Sequence, residues 1–395
     1  MTWLLVPVTV YSIGILILWL ILRGRRADIP SAAGPLPRVT DDTTSSASIL
    51  PRVTVVVAAR NEEKTIETLL ESLSYQDYPP DLLEITIVND NSTDRTPIVV
   101  SEFIERRRQV SAIRMRLIFN PFSGKKRAIR YGIEKASGEL IMTTDADCTV
   151  GPGWVSAHAG EYAYEGENAH TGVGADGSAD MIVGEVYQGP PKGFTSLFGM
   201  FEFSALQSIS EAAIIAGRPV MCNAANMSFK RDVYLRHSGE LRADLPSGDD
   251  IFLLHAVRRA GGRVRYAGSS AAAVETAGAV TAAALLRQRA RWASKTFWYS
   301  DAATLTLVAV TAACNAAVTA AAVASIISTA YLPLLAALYG LRLAPDYLII
   351  TRNIKKRGGK VPVMTFILSE LIYPFYFMTV GVMSLFPAAR KFAKR

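Results

Sequence analysis

From Val53 to Thr144 the hydrophobic period of the chain keeps switching between that of a strand and that of a helix, and no other feature limits the fold as tightly. "VTVVVAA" (53–59) is a short β-branched run suited to a buried strand, and "EEKTIETLLESLSY" (62–75) sets Ile66, Leu69, Leu70 and Leu73 at helical spacing. The pattern repeats. "EITIVND" (84–90), "RMRLIF" (114–119) and "ELIMTT" (139–144) read as strands; "RTPIVVSEFIERR" (95–107) and "KKRAIRYGIEKA" (125–136) read as the helices between them. Such alternation predicts an α/β domain with a mostly parallel sheet covered on both faces. Ligands of such sheets bind at the carboxyl ends of the strands. Four polar clusters fall there: "RNE" (60–62), "NDNSTD" (89–94), "NPFSGKK" (120–126) and "DAD" (145–147).

The last cluster poses a chemical question. Asp145 and Asp147 are one residue apart, so on an extended chain both carboxylates point to one side and repel. Turn chemistry and helix capping explain aspartates at a strand end. A divalent cation held for a phosphate-bearing substrate explains them equally well in isolation. Four polar strand ends on one edge favour the site.

The rest of the chain is governed by apolar runs. Residues 3–22 carry no charge and are long enough to span a bilayer, with "RGRR" (23–26) directly behind. A cleaved secretory signal has its positive charges in front, so this reads as an uncleaved anchor with its N-terminus outside. Residues 302–341 are almost uncharged and suit two helices with a turn near Ser328–Tyr331, which makes "RNIKKRGGK" (352–360) cytoplasmic. A last apolar stretch, roughly 362–386, either crosses and leaves "RKFAKR" (390–395) outside, against the positive-inside rule, or is re-entrant or interfacial. The net charge of +7 is concentrated beside these runs, where it suits an anionic leaflet; no basic stripe interleaved with aromatics points to nucleic acid. Three scattered cysteines and four scattered histidines argue against a disulfide framework and a zinc site. Gly172, Gly174 and Gly177 match G-x-G-x-x-G, but no strand precedes them, so the segment reads as a loop.

Five stretches, "VVAARNEE", "VNDNSTD", "GKKRAIRYGIEKASGELIMTTDAD", "SGDDIFLL" and "QRARW", occur in an order that resembles glycosyltransferase family 2 over roughly residues 51–300. The resemblance implies a GT-A fold (Rossmann-like, mostly parallel sheet, helices on both faces) as a cytoplasmic domain, with N- and C-terminal transmembrane helices. It implies an anchor at 1–26, a linker at 27–50, a nucleotide-sugar-binding half at 51–150, an acceptor half at 151–300 and a transmembrane region at 301–395. The processive members are cellulose and hyaluronan synthases; ceramide glucosyltransferase-like enzymes make single additions.

Roles follow from that resemblance, residue by residue. Glu62 and Asp90 would lie near the nucleotide, although helix stabilisation and capping explain them too. Lys125, after Gly124 at a helix start, would face a phosphate, while Lys126 and Arg127 would be solvated. Asp145 and, more directly, Asp147 would hold Mg2+ or Mn2+ on the donor diphosphate. Asp250 matches the general base, with Asp249 where Glu is common and Gly248 where Thr is common. Gln288, Arg291 and Trp292 share a helical face and would touch the diphosphate and the acceptor pocket, with Arg289 a weaker candidate; an interfacial anchor is the plainer account. Asn226 would help shape the acceptor side.

The function expected is inverting transfer of a sugar from a nucleotide-sugar donor, UDP-linked by default, to a lipid or glycan acceptor hydroxyl. It would take place in a multi-pass protein of the inner cell membrane among membrane lipids, with no nucleic acid involved. A homo-oligomer is compatible with it. A processive polysaccharide synthase and a non-catalytic nucleotide-binding scaffold are the alternatives.

Overall fold

A computed structural model describes residues 1–24, 50–163, 178–242, 244–245 and 248–386. The linker at 27–50 save its last residue, the glycines at 172, 174 and 177, and the terminal "RKFAKR" lie outside them. The chain divides into two compact units that alternate along the sequence. One contains helix α1 (Leu5–Gly24), Gln188–Val220 and the chain from Gly278 onward; the other contains the segment up to Tyr187 and Met221–Ala277.

The second unit is the α/β domain. Strand β1 (Val53–Ala59) is followed by α2 (Ile66–Ser74), β2 (Leu83–Asn89), α3 (Thr96–Arg107), β3 (Arg114–Phe119), α4 (Lys125–Lys135) and β4 (Leu140–Thr143). Then come β5 (Cys148–Val150), α5 (Trp154–Ala163), β6 (Met181–Gly184) and β7 (Val186–Gln188). After α6 (Phe194–Ile215) of the other unit, the domain resumes with β8 (Met227–Lys230), α7 (Arg231–His237), α8 (Asp249–Arg259), β9 (Val264–Ala267) and β10 (Val274–Thr276).

Among the described residues seven strands form one sheet in the order β3-β2-β1-β4-β8-β6-β9, and β5, β10 and β7 form a smaller one. The β1 strand, β-branched and almost wholly buried, pairs in parallel with β2 and β4. On the far side β4 meets β8 antiparallel, with Thr143 opposite Met227. The fold is thus a mixed α/β domain whose sheet is mostly parallel, with the strand ends Ala59, Asn89 and Phe119 in register on one edge. Parallel pairing with crossover helices puts those ends, and the polar residues after them, on one side of the sheet.

In the first unit, α6 is joined by α9 (Ala282–Ala293), α10 (Ala302–Ile327), α11 (Leu332–Lys356) and α12 (Val363–Leu385). Among the described residues four helices are long and apolar enough to cross a membrane: the one ending at Gly24, α10, α11 and α12. Leu4, Val8, Ala317, Val318, Ala321 and Leu338 make a shared buried cluster, with Ala317 and Ala321 allowing close helix approach.

The expected turn at Ser328–Tyr331 is present, but α11 does not stop at 341. It runs to Lys356 and takes in Arg342, Asp346 and half of the basic segment. Its charges are absorbed by neighbours: Arg342 Nε lies 3.1 Å from Asp346, its Nη2 lies 3.0 Å from Glu370 of α12, and its Nη1 donates to Asn315 of α10 at 3.1 Å. Tyr11 of α1 donates to Asp346 at 2.8 Å. The last apolar stretch is one continuous helix of 23 residues, long enough for a full crossing.

Candidate active site

The polar edge of the α/β domain is assembled by backbone pairing first and side chains second. Asp90 follows β2, its N–H donating to the carbonyl of Ala59; Asn120 follows β3, its N–H donating to Asn89. The buried Asp90 carboxylate then accepts from Asn120 Nδ2 at 2.8 Å and from the N–H of Gly124 at 2.9 Å. Gly124 has φ +111°, a conformation open to glycine, and caps α4 so that Lys125 begins the helix. Helix α3 is held by Asp94 instead, which accepts from the N–H of Thr96 at 3.0 Å and from the N–H of Glu63 at 3.2 Å.

Lys125 reaches across to β4's end and donates to Asp145 at 2.5 Å. Its side chain stays exposed; partial loss of water would lower its ammonium, but Asp145, Asp249 and Asp250 hold it above its ordinary value. Asp147 keeps one edge in solvent; partial loss of water, then the charge of Asp145, raise its carboxyl above the usual range. Glu62 is half-buried and accepts from Thr65 Oγ1 at 2.7 Å. Burial raises it against that hydrogen bond, and Asp147 and Asp145 raise it further. Glu62 therefore senses the same field as the aspartate pair.

Helix α8 supplies the other two acids from its first turn, where the helix dipole favours them. Asp249 is buried, and burial followed by the charge of Asp250 pushes its carboxyl up, against the pull of Lys125 and Lys126. Asp250 is half-exposed; it accepts from its neighbour Ile251's N–H at 2.8 Å and from the N–H of Ala224 at 3.3 Å. Asp250 is thus the more accessible of the two. Lys125, Ile129, Thr144, Asp145, Met227 and Asp249 line a common recess.

Two expectations change. Lys126 is not solvated: it is buried, and its Nζ donates to the carbonyls of Leu241 and Arg242, each at 2.9 Å, with the ring of Phe252 5.2 Å away. It ties α4 to the segment leading into α8. Asn226 has no atom left for a substrate. Fully buried, its Oδ1 accepts from Trp154 Nε1 at 2.9 Å and from His158 Nε2 at 3.0 Å; its Nδ2 donates to the carbonyls of Glu185 and Ala272. That uses its full hydrogen-bonding capacity, so Asn226 is a scaffold beneath the edge.

Cys148, next to Asp147, is buried and its thiol is pushed up to about 12 by burial and the two aspartates, so it is no nucleophile at neutral pH. Gln288, Arg291 and Trp292 lie half-buried on α9, in the other unit. There the buried Arg289 organises Gln288 and Trp292: it donates to Gln288 Oε1 and to Glu202, both at 2.7 Å, and lies 4.2 Å from the Trp292 ring centre. Sequence reasoning missed Thr144, Asn120 and the structural weight of Lys126 and Arg289. A lysine or arginine in a basic run carries no sign of whether it is buried; only the position of Thr144 beside Asp145 could have flagged it.

Comparisons with known proteins bear on the family and the fold. The family model described as Glycosyl transferase family 2 matches residues 54–186. A probable glycosyltransferase, YdaM, of Bacillus subtilis is 40% identical over 102 residues, which are 25% of this chain and 24% of that protein. The beta-monoglucosyldiacylglycerol synthase of Synechocystis sp. is 35% identical over 121 residues, 31% of this chain and 24% of that one. The chain thus spans about a quarter of the length of these curated relatives. Among solved structures, the mannosyltransferase PcManGT from Pyrobaculum calidifontis, in complex with GDP-Man and Mn2+, superposes with a TM-score of 0.54 at 20% identity. That alignment covers 96% of this chain and 99% of that one, a likeness of fold. Residues 54–186 thus match the glycosyltransferase family 2 model and lie on an α/β domain of the GT-A kind.

Proposed function

We propose that the protein is a membrane-bound inverting glycosyltransferase. It moves a sugar from a nucleotide-sugar donor to the hydroxyl of a lipid or lipid-linked acceptor. The observation that carries this reading is the convergence of Lys125, Asp145 and Asp249 on one recess at the strand ends, with Asp250 beside it and half-exposed. The relative named beta-monoglucosyldiacylglycerol synthase favours a lipid acceptor. The four apolar helices favour a membrane location, and Arg23, Lys355 and Lys356 at helix ends favour a cytoplasmic catalytic domain.

The donor set fits Mg2+ or Mn2+. Asp145 and Asp147 offer hard oxygen ligands, and among the described residues no third ligating side chain joins them. An ion held there would complete its shell with phosphate oxygens and water, as these ions favour. When bound, it would neutralise charge on the leaving diphosphate. Asp90 and Glu62 would bind the nucleoside end, and Lys125 would orient Asp145. Asp250 would take the proton from the acceptor hydroxyl as that oxygen attacks the anomeric carbon. The bond to the diphosphate breaks on the opposite face, which inverts the centre. Within its own unit Arg289 would hold Gln288 and Trp292 in place.

The test is a screen of nucleotide sugars with Mn2+ and Mg2+, followed by labelling of membrane lipids with the hit. Asp250→Asn is expected to lower transfer by roughly 10²–10⁴ while the donor still binds. Asp147→Ala is expected to weaken metal-dependent donor binding. Full turnover in both variants would overturn the assignment, and a ladder of long polymer would replace single addition with processive synthesis.

A further inference from the structure

The recess contains a polar atom whose partner is missing from the described part of the chain. Thr144 directly follows β4 and is 1% exposed, and its Oγ1 makes no hydrogen bond, although its neighbour Thr143 donates to the carbonyl of Ala224 at 2.8 Å. A buried hydroxyl without a partner is costly, and most such groups in folded proteins are satisfied. The exceptions call for a reason, and here the surroundings supply one. Thr144 lines the recess together with Lys125, Asp145 and Asp249, against apolar walls from Ile129, Ala224 and Met227.

We infer that the Thr144 hydroxyl is a donor-sugar contact, hydrogen-bonded to a hydroxyl of the transferred sugar when the recess is filled. This rests on the glycosyltransferase reading above and adds to it a residue that discriminates between sugars. Charge decides against a phosphate in this position. Two carboxylates line the same recess, and Lys125 is already engaged by Asp145 at 2.5 Å. A sugar hydroxyl, by contrast, donates its one proton to a carboxylate while accepting from the threonine, so it pairs Thr144 without adding charge. Epimers that turn this hydroxyl away leave Thr144 unpaired again, which is the source of the discrimination.

The valine variant separates this role from a structural one, because Thr144→Val is close in shape and removes only an unbonded hydroxyl. A packing role predicts a neutral outcome. A sugar contact predicts that the variant unfolds at an unchanged or higher temperature, yet binds its nucleotide sugar roughly tenfold more weakly. The experiment uses the full chain in detergent with Mn2+ and a panel of UDP-glucose, UDP-galactose, UDP-N-acetylglucosamine and GDP-mannose, with UDP and GDP alone as controls. Thr144→Val should weaken the preferred nucleotide sugar and leave the free nucleotide diphosphate unchanged, and Thr144→Ser should restore affinity. Equal loss for sugar-bearing and free nucleotide overturns the sugar contact while keeping the glycosyltransferase reading. Unchanged binding of every probe in Thr144→Val overturns the inference also. An unaltered chain that binds no member of the panel overturns the underlying reading and the inference with it. Should the valine variant not fold, Thr144→Ala measured against Thr144→Ser gives the same comparison.

Discussion

His158 is buried with its Nε2 on Asn226 and its Nδ1 on Ser228 Oγ at 2.8 Å. The Asn226 oxygen can only accept, so His158 carries its proton on Nε2 and receives the serine hydroxyl on Nδ1. Burial, opposed by the Asn226 bond, lowers the imidazole from its ordinary 6.5 to about 4. A folded value below the unfolded one adds stability that is complete above about pH 6.5 and drains as pH falls toward 4. The loss is on the order of 3 kcal/mol. Thermal unfolding at pH 7 and pH 4 should show it, and His158→Gln should flatten the difference relative to the parent chain. Asn226→Asp should destabilise at neutral pH, since a carboxylate cannot donate to the carbonyls of Glu185 and Ala272. None of this was legible beforehand. Asn226 stands in a polar stretch, and its four partners come from residues 154, 158, 185 and 272, which sequence spacing does not bring together.

At the scale of the element, the alternating period gave the four strands and their crossover helices correctly, because propensity and burial point the same way there. Strand β1 is the clear case: β-branched along most of its length and buried on both faces. Helix α8 is the harder one. It starts at Asp249 after Gly248, whose φ of +97° is one that a β-branched residue avoids. That explains why glycine occupies the position where threonine is common in the resembling motif. Gly248→Thr should cost about 1–2 kcal/mol in unfolding free energy, and Gly248→Asn less, because asparagine tolerates left-handed backbone. Any shift of this first turn moves Asp249 and Asp250 together, so transfer by Gly248→Thr should fall more than its donor affinity. Equal losses in both would detach the glycine from the placement of the acids.

At the scale of the whole molecule, the long apolar helices were legible by length and lack of charge, except where charge is hidden. The span ending at 341 was read too short because Arg342 and Asp346 look like the edge of an apolar run. Their partners sit on other helices, Asn315 on α10 and Glu370 on α12, which no local window contains. Ionisable groups within membrane segments are expensive and persist only when partnered. Arg342→Leu leaves Asp346 and Glu370 buried without a cation and should destabilise by roughly 3–5 kcal/mol. Glu370→Gln leaves one guanidinium against one carboxylate and should be tolerated. Unfolding in mixed micelles distinguishes the two; a Glu370→Gln variant as damaged as Arg342→Leu would contradict the charge count.

The alternation of the two units along the chain has a further effect, on biosynthesis. Strand β4 leaves the ribosome well before its partner β8, since Thr143 pairs with Met227. At common elongation rates the interval is roughly 4 to 17 s. Throughout it, the β8-facing edge of β4 is an open strand edge beside two aspartates, and α6 of the helical unit is made before the edge is covered. Translation pauses or slow membrane insertion in that window would therefore expose the edge for longer, and aggregation of nascent chains should rise with the length of the pause.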